Sequence, residues 1–172
     1  MLELILGGAR SGKSSLAEQR AIESGLEVCY VATAEGRDNE MAARIAHHQE
    51  RRPAHWHTIE EPIALATILR RESRTGRLIL LDCLTLWLSN LLACEEPDEA
   101  RFAREREDLL TTLPALPGHI ILVSNELGMG IVPLGELSRR FVDEAGWLNQ
   151  AVAKHCQRVT FVAAGLPLIL KE

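Results

Sequence analysis

The feature that most constrains this chain is the glycine-rich segment GGARSGKS at residues 7–14. It fits the pattern of a glycine, four residues of any kind and then Gly-Lys-Ser/Thr, which forms loops that wrap phosphate groups. An apolar run at residues 2–6 precedes it and predicts a buried strand, and residues 14–24 predict a helix. In such a strand–loop–helix unit, successive backbone N–H groups and the helix N-terminus face the phosphates. The segment therefore predicts a nucleotide site in which Lys13 reaches the β- and γ-phosphates and Ser14 lies on Mg²⁺.

Strand-like apolar runs alternate with helix-like segments along the rest of the chain. The further strands are expected at residues 27–32, 55–59, 77–82, 119–124, 158–163 and 166–170. Helices are expected at residues 38–52, 61–73, 84–93, 98–113 and 134–156, the last in two pieces around Gly146. This alternation predicts a mostly parallel sheet with helices on both faces. We therefore expect a three-layer P-loop NTPase fold of the RecA-like type. The last strand, which has Pro167 at its start, could be an antiparallel strand at the edge of the sheet.

Composition limits the protein class and the partners. With 172 residues, the chain is expected to form one catalytic domain, residues 1–172. The net charge of −5 argues against general nucleic-acid binding. No signal peptide and no membrane-spanning run are evident, and the four cysteines include no Cys-x-x-Cys pair. We expect a cytoplasmic enzyme with reduced thiols.

Asp82 is the second feature that predicts chemistry, because it closes the apolar run at residues 77–82. It should lie at the carboxyl edge of the sheet, where open α/β folds bind ligands and where the phosphate loop also lies. A carboxylate there can hold Mg²⁺, as the Walker-B aspartate does. Asp82 could also cap the helix that starts near Leu84, and the two roles can coexist.

A third feature is the cationic set Arg44, His47, His48 and Arg51. On a helix these residues are three and four positions apart, so they form one cationic face. The face could simply be a solvated surface. A zinc site is poorly supported, since adjacent histidines diverge by about 100° on a helix. A histidine near phosphates could instead be a nucleophile, because much of it is neutral at pH 7 and nearby arginines favour the neutral form.

The loop at residues 125–133 (NELGMGIVP) follows a buried strand and so lies at the same edge. A long glycine-containing loop there predicts the wall of a binding site. Its composition does not identify the ligand.

Five sequence blocks together resemble a known enzyme family. The blocks are GGARSGKS (7–14), VATAE (31–35), MAARIAHHQERRPAHWHTIEEP (41–62), LILLDCLTLWLSNLL (78–92) and VSNELGMGIVP (123–133). Their order and content resemble the bifunctional adenosylcobinamide kinase/adenosylcobinamide-phosphate guanylyltransferases of cobalamin assembly. The blocks span nearly the whole chain, so the resemblance is far more specific than a phosphate loop alone.

The resemblance implies two reactions and two corrinoid substrates. The first reaction phosphorylates the aminopropanol hydroxyl of adenosylcobinamide with a nucleoside triphosphate, ATP or GTP. The second transfers GMP from GTP to adenosylcobinamide phosphate through a GMP–histidine intermediate, with Mg²⁺ as the metal. The family is also known for a trimeric assembly.

The resemblance also implies the site residues. The nucleophile is the first histidine of the pair, which here is His47, and Lys13 is the other catalytic residue. Mg²⁺ is expected at Ser14 and Asp82. The expected nucleotide contacts are Gly7, Gly8, Ala9, Arg10, Ser11, Gly12, Lys13, Ser14, Ala32, Thr33, Ala34, His48, Gln49, Glu50, Arg51, Glu60 and Asp82. Glu61 lies beside Glu60 and is the alternative residue for this contact.

Two other functions are compatible with part of the pattern. A monofunctional P-loop kinase of another small metabolite would keep Lys13, Ser14 and Asp82 but would not need His47. A RecA-like ATPase stimulated by nucleic acid would share the fold. The acidic charge and the small number of aromatic residues argue against that second alternative.

Overall fold

The computed structural model describes residues 1–34, 53–92 and 98–172, and it contains a seven-stranded sheet. The strands are β1 (Leu2–Gly7), β2 (Glu27–Ala32), β3 (His57–Glu60), β4 (Arg77–Asp82), β5 (His119–Asn125), β6 (Arg158–Ala163) and β7 (Leu166–Lys171). Their order across the sheet is β3-β2-β4-β5-β1-β6-β7. All neighbouring pairs are parallel except β6 and β7, so the predicted antiparallel edge strand is confirmed.

Helices connect the strands much as the alternation predicts. They are α1 (Lys13–Glu23), α2 (Leu65–Glu72), α3 (Leu84–Leu92), α4 (Glu99–Thr112) and α5 (Glu136–His155), with a short 3₁₀ turn at Leu113–Ala115. Asp98 caps α4, since its carboxylate accepts a hydrogen bond from the Arg101 N–H at 2.8 Å. The helix expected at residues 38–52 lies outside the described residues.

Two helix predictions need correction. The helix expected from residue 61 begins only at Leu65, because the Glu61 carboxylate accepts the N–H groups of Ile63 and Ala64, at 2.9 and 2.7 Å, in a turn before it. The helix expected in two pieces around Gly146 is continuous from residue 136 to residue 155. Its buried face includes Ala145 and Val152 on either side of the glycine. Burial of that face outweighs the cost of about 1 kcal/mol for one glycine within a helix.

The sheet has helices on both faces, and alternate residues of each strand face opposite sides. On one face, Leu2, Leu4 and Leu6 of β1 belong to a large apolar core with α2, α3, α4 and α5. On the other face, Ile5 belongs to a smaller core with Ala17 and Ala21 of α1. The two cores establish the three-layer arrangement.

An ion pair helps to hold α1 against the smaller core. The buried Glu3 of β1 forms an ion pair with Arg20 of α1, and His119 lies 3.9 Å from the same carboxylate. Burial lowers the pKa of His119, and the neighbouring N-terminal ammonium and Arg158 lower it further. The helix that follows the phosphate loop is therefore fixed by packing and by charge.

The parallel strands end at one edge, which gathers the predicted site. Gly7 of β1 pairs with Asn125 of β5, and Ala32 of β2 pairs with both Asp82 and Glu60. In parallel α/β sheets this is the edge that binds ligands. No helix of the described part of the chain is long and apolar enough to cross a membrane.

Candidate functional site

The segment at residues 7–14 forms a tight loop between β1 and α1. The loop turns through two residues with positive φ, Arg10 at 56° and Gly12 at 96°. The Ser11 N–H donates to the Gly8 carbonyl at 3.3 Å, which closes the turn. The Lys13 ammonium also donates to the Gly8 carbonyl, at 3.2 Å, so the side chain folds back over the loop. Ser14 follows in the first turn of α1 and is partly exposed. The strand–loop–helix unit is as predicted.

The turn between β6 and β7 supports this loop, which the sequence reasoning did not foresee. The Gly165 N–H donates to the Ser11 carbonyl at 2.8 Å. A Cβ atom on Gly12 would lie 3.1 Å from the Gly165 Cα, and one on Gly7 would lie 2.6 Å from the Val162 carbonyl oxygen. Close backbone approach therefore favours glycine at both positions. No local sequence pattern reports such a contact, because the partners are more than 150 residues apart.

The hydroxyl of Ser11 has no hydrogen-bond partner among the described residues, although it is buried. Buried polar groups in native proteins are rarely left unpaired. The loop therefore offers a hydroxyl, an ammonium and backbone N–H groups for an anionic ligand.

Asp82 ends β4 and lies partly buried between Ala32 of β2 and Val123 of β5. In the described part of the chain its carboxylate has no hydrogen bond or ion pair, so no bond supports the helix-cap alternative. Burial, together with the negative charge of Asp82, raises the pKa of the adjacent Cys83 thiol to about 12, against a smaller lowering by the positive charge of Lys13. The carboxylate and the ammonium thus act on one buried thiol from the same edge of the sheet.

Thr33 fixes the backbone around Asp82. Its hydroxyl donates to the Cys83 carbonyl at 2.7 Å and accepts from the Cys83 N–H at 2.9 Å. Asn90 of α3 donates to the Thr33 carbonyl at 2.8 Å. Because Thr33 is fully buried, its side chain joins the ends of β2 and β4. Its expected contact with nucleotide stays a prediction.

The two adjacent glutamates after β3 differ in their surroundings. Glu61 uses its carboxylate to hold the turn before α2, whereas Glu60 is exposed at the end of β3 beside Ala32. Glu60 is thus the one whose carboxylate remains accessible to a ligand.

The loop after β5 begins in direct contact with the phosphate loop. The Glu126 N–H donates to the Gly7 carbonyl at 3.1 Å, and the Asn149 amide of α5 donates to the Asn125 carbonyl at 3.1 Å. The predicted wall therefore lies beside the phosphate loop.

The cationic set Arg44, His47, His48 and Arg51 lies outside the described residues, as do Gln49 and Glu50. The remaining expected contacts, Ala32 to Ala34 and Glu60, lie at the same sheet edge as Asp82 and the phosphate loop.

One further group of metal-ligand types occurs among the described residues, away from this edge. Cys29, His57 and Glu72 have ligand atoms within 4.8 Å of one another. The Glu72 carboxylate is already paired with Arg71 at 2.7 Å and with Arg77 at 2.5 Å. These two cations oppose the binding of another cation there.

Comparison with known proteins identifies close relatives. The family described as cobinamide kinase / cobinamide phosphate guanyltransferase matches residues 3–170. A bifunctional adenosylcobalamin biosynthesis protein of Pseudomonas aeruginosa is 66% identical over 171 residues, covering 99% of this chain and 98% of the relative. A protein of the same description from Escherichia coli is 38% identical over 182 residues, covering 99% of this chain and 100% of the relative.

Solved structures support the fold alone. A Pyrococcus horikoshii protein, solved as PH0250, aligns with a TM-score of 0.57 at 8% identity, covering 99% of this chain and 86% of that one. The flagellar accessory protein FlaH from Methanocaldococcus jannaschii aligns with a TM-score of 0.50 at 17% identity, covering 99% and 77%. At these identities the alignments show a shared P-loop NTPase-like architecture and nothing about activity.

Proposed function

This chain belongs to the cobinamide kinase/cobinamide phosphate guanyltransferase family, and from that premise we propose how its residues divide two reactions. In the first, ATP or GTP phosphorylates the aminopropanol hydroxyl of adenosylcobinamide. In the second, GTP donates GMP to adenosylcobinamide phosphate, giving adenosylcobinamide-GDP and pyrophosphate. The observation that carries the proposal is the 66% identity over nearly the full length of a relative named for bifunctional adenosylcobalamin biosynthesis. We also propose that residues 1–172 form one catalytic domain.

The phosphate loop serves both reactions in this proposal. Its backbone N–H groups and the N-terminus of α1 would hold the phosphates, and Lys13 would neutralise charge that develops on the transferring group. The unpaired Ser11 hydroxyl supports the assignment, because a bound phosphate oxygen would give it a partner.

Ser14 and Asp82 fit a magnesium site, since a hydroxyl and a free carboxylate are the oxygen ligands that this hard cation prefers. The ion would neutralise charge on the β- and γ-phosphates during transfer. Thr33 would act indirectly, by holding the Asp82 backbone in place through the two bonds to Cys83.

His47 is the proposed nucleophile of the second reaction, on the basis of the family resemblance. Its ring nitrogen would form a bond to the α-phosphorus of GTP as pyrophosphate leaves. A phosphate oxygen of adenosylcobinamide phosphate would then attack the same phosphorus and release the histidine.

The proposed nucleotide contacts outside the phosphate loop are Ala32 to Ala34, His48 to Arg51 and Glu60. Glu60 is preferred to Glu61 because the latter carboxylate is already bonded to Ile63 and Ala64.

Labelling with GTP tests this function directly. GTP labelled at the α-phosphate should mark the protein, whereas GTP labelled at the γ-phosphate should not, because pyrophosphate is released. The bond should be a phosphoramidate, labile to acid and stable to base. A wild-type enzyme that stays unlabelled under turnover would favour the monofunctional kinase.

Substitution of each histidine separates the two reactions. His47→Ala should lose the label and the guanylyl transfer while keeping much of the kinase reaction, which depends on Lys13 and Mg²⁺. His48→Ala is the matched control and should keep the label, because on the helix that the sequence predicts there, adjacent side chains cannot both attack in line. Loss of the label in His48→Ala alone would move the nucleophile by one residue.

We further propose a cytoplasmic homotrimer that binds no nucleic acid. The exposed apolar side chains of β7 support self-association, since Leu166, Leu168, Ile169 and Leu170 are each more than half exposed on an edge strand. Soluble monomers avoid such edges. Light scattering should give three times the subunit mass of 19.1 kDa. A monomeric mass would remove the trimer from the proposal without affecting the reactions.

A further inference from the structure

The loop after β5 exposes an apolar surface that phosphate binding does not use. We call it the apolar loop surface, and it consists of Met129, Ile131, Val132, Leu134 and Leu137. Ile131 is 98% exposed and Leu134 is 97% exposed. These five exposed large apolar side chains lie within nine residues of the chain, in the loop and at the start of α5, and such clustering is typical of a binding site.

The loop that carries the apolar loop surface is held by hydrogen bonds near both of its ends. At its start, the Glu126 N–H donates to the Gly7 carbonyl at 3.1 Å. At its end, the Arg139 guanidinium donates to the Pro133 carbonyl at 3.2 Å and to the Leu134 carbonyl at 2.5 Å. These side chains are therefore presented by a tethered loop that begins on the phosphate loop itself.

A pocket of about 380 Å³ adjoins the surface between α3 and α5. Its lining is mainly apolar and includes Leu92, Leu127, Pro133 and Phe141, together with the hydroxyl-bearing Ser89 and Ser138. A mainly apolar wall with a few polar groups is typical of sites for small organic molecules.

The strand order places the start of the loop that carries this surface beside the residues proposed to bind phosphate and Mg²⁺. β5 lies between β4 and β1, so its loop emerges between Asp82 and the phosphate loop. The exposed apolar residues of β7 lie instead at the far edge of the sheet, beyond β6. An acceptor held on the apolar loop surface is thus next to the transferred phosphoryl group.

We propose that the apolar loop surface and its pocket bind the corrin ring of the acceptor substrate. This inference rests on the proposed function, which requires a site for a cobinamide. The corrin ring is a large macrocycle with wide apolar faces and amide side chains, and the hydroxyl to be phosphorylated lies at the end of one side arm. A ring on this surface would leave that arm free to reach over the phosphate loop, and the hydroxyls of Ser89 and Ser138 in the pocket wall could bond to the amide side chains of the ring.

Binding of adenosylcobinamide, measured by equilibrium dialysis, tests the assignment without turnover. The variants are Ile131→Ser and Leu134→Ser, whose side chains are almost wholly exposed, so the fold should be retained. Each should bind adenosylcobinamide roughly tenfold more weakly than the wild type, as expected for loss of one buried aliphatic contact. Ile22→Ser is the matched control, because Ile22 is 57% exposed on α1 and away from this loop.

The same samples are also tested for labelling by α-labelled GTP, and the mass of their assembly is measured by light scattering. Both variants should label like the wild type, because formation of the histidine intermediate needs no corrinoid. Affinity equal to that of the Ile22→Ser control, or a changed mass of the assembly with unchanged affinity, would overturn the inference and leave the proposed function standing. A wild type that neither labels nor binds adenosylcobinamide would overturn both.

Discussion

At the scale of single residues, Lys13 is the side chain on which both proposed reactions depend. Its described contact is one bond to the Gly8 carbonyl, so removing the side chain should leave the fold intact. Lys13→Ala should lower both rates by about 10²–10³, or roughly 2.7–4 kcal/mol, by analogy with loss of one oxyanion-hole donor. Steady-state rates at saturating nucleotide measure this, with Lys154→Ala as an exposed control on α5. Rates close to wild type would contradict the phosphate-loop assignment.

Asp82 allows a test of metal binding that keeps the side-chain shape. Asp82→Asn removes the charge that a hard cation prefers but retains an oxygen ligand. We expect the variant to need a higher Mg²⁺ concentration for half-maximal rate, with a smaller change in nucleotide affinity. Magnesium titrations at fixed nucleotide measure this. If the variant and wild-type curves coincide, Asp82 holds no metal.

At the scale of secondary-structure elements, packing of β6 and its turn against the phosphate loop makes Gly7 much less tolerant of a side chain than the adjacent Gly8. A Cβ on Gly7 would lie 2.5 Å from the Ser11 Oγ and 2.6 Å from the Val162 carbonyl oxygen, whereas one on Gly8 would meet nothing within 4 Å. Gly7→Ala should therefore lower the free energy of unfolding by about 1–3 kcal/mol, the usual range for overpacking. Gly8→Ala should stay within about 0.5 kcal/mol of wild type. Urea unfolding without nucleotide measures both, and equal stability of the two variants would contradict this support.

At the scale of the whole molecule, several carboxylates are tied to arginines and should make the fold sensitive to acid. A hydrogen bond from Arg77, which has the larger effect, and one from Arg74 lower the pKa of Glu27 from 4.5 to about 2. Bonds from arginines also lower the pKa values of Glu72, Glu99 and Asp108. Because the folded-state pKa is lowered, this stabilisation is complete above the unfolded-state pKa and is lost as pH falls through the folded-state value.

The corresponding substitution is Glu27→Gln, which removes one titrating partner. The wild type should lose more unfolding free energy than this variant between about pH 6 and about pH 3. Urea titrations at each pH measure the difference, with the exposed Glu107→Gln as control. Parallel pH profiles for the wild type and Glu27→Gln would show that the arginine contacts add no acid-sensitive stability.

Much of this architecture could be predicted because it depends on local patterns. The buried strands at residues 27–32, 77–82 and 158–163 are continuous apolar runs, and the structure gives them the predicted bounds. The helix through Gly146 was predicted wrongly, since propensity is local whereas burial of its face depends on the rest of the fold. Two contacts could not be predicted, because each joins residues distant in sequence. They are the bonds of the Thr33 hydroxyl to the Cys83 backbone and the bond from Gly165 to the phosphate loop.

The contact between Gly165 and Ser11 also has a consequence for the order of events during synthesis of the chain. The ribosome makes the phosphate loop about 150 residues before the turn that supports it, a delay on the order of ten seconds at ordinary translation rates. Until then the loop lacks the backbone that packs against Gly7 and Gly12. During synthesis the phosphate loop therefore exists for some time without the backbone that supports it in the finished fold.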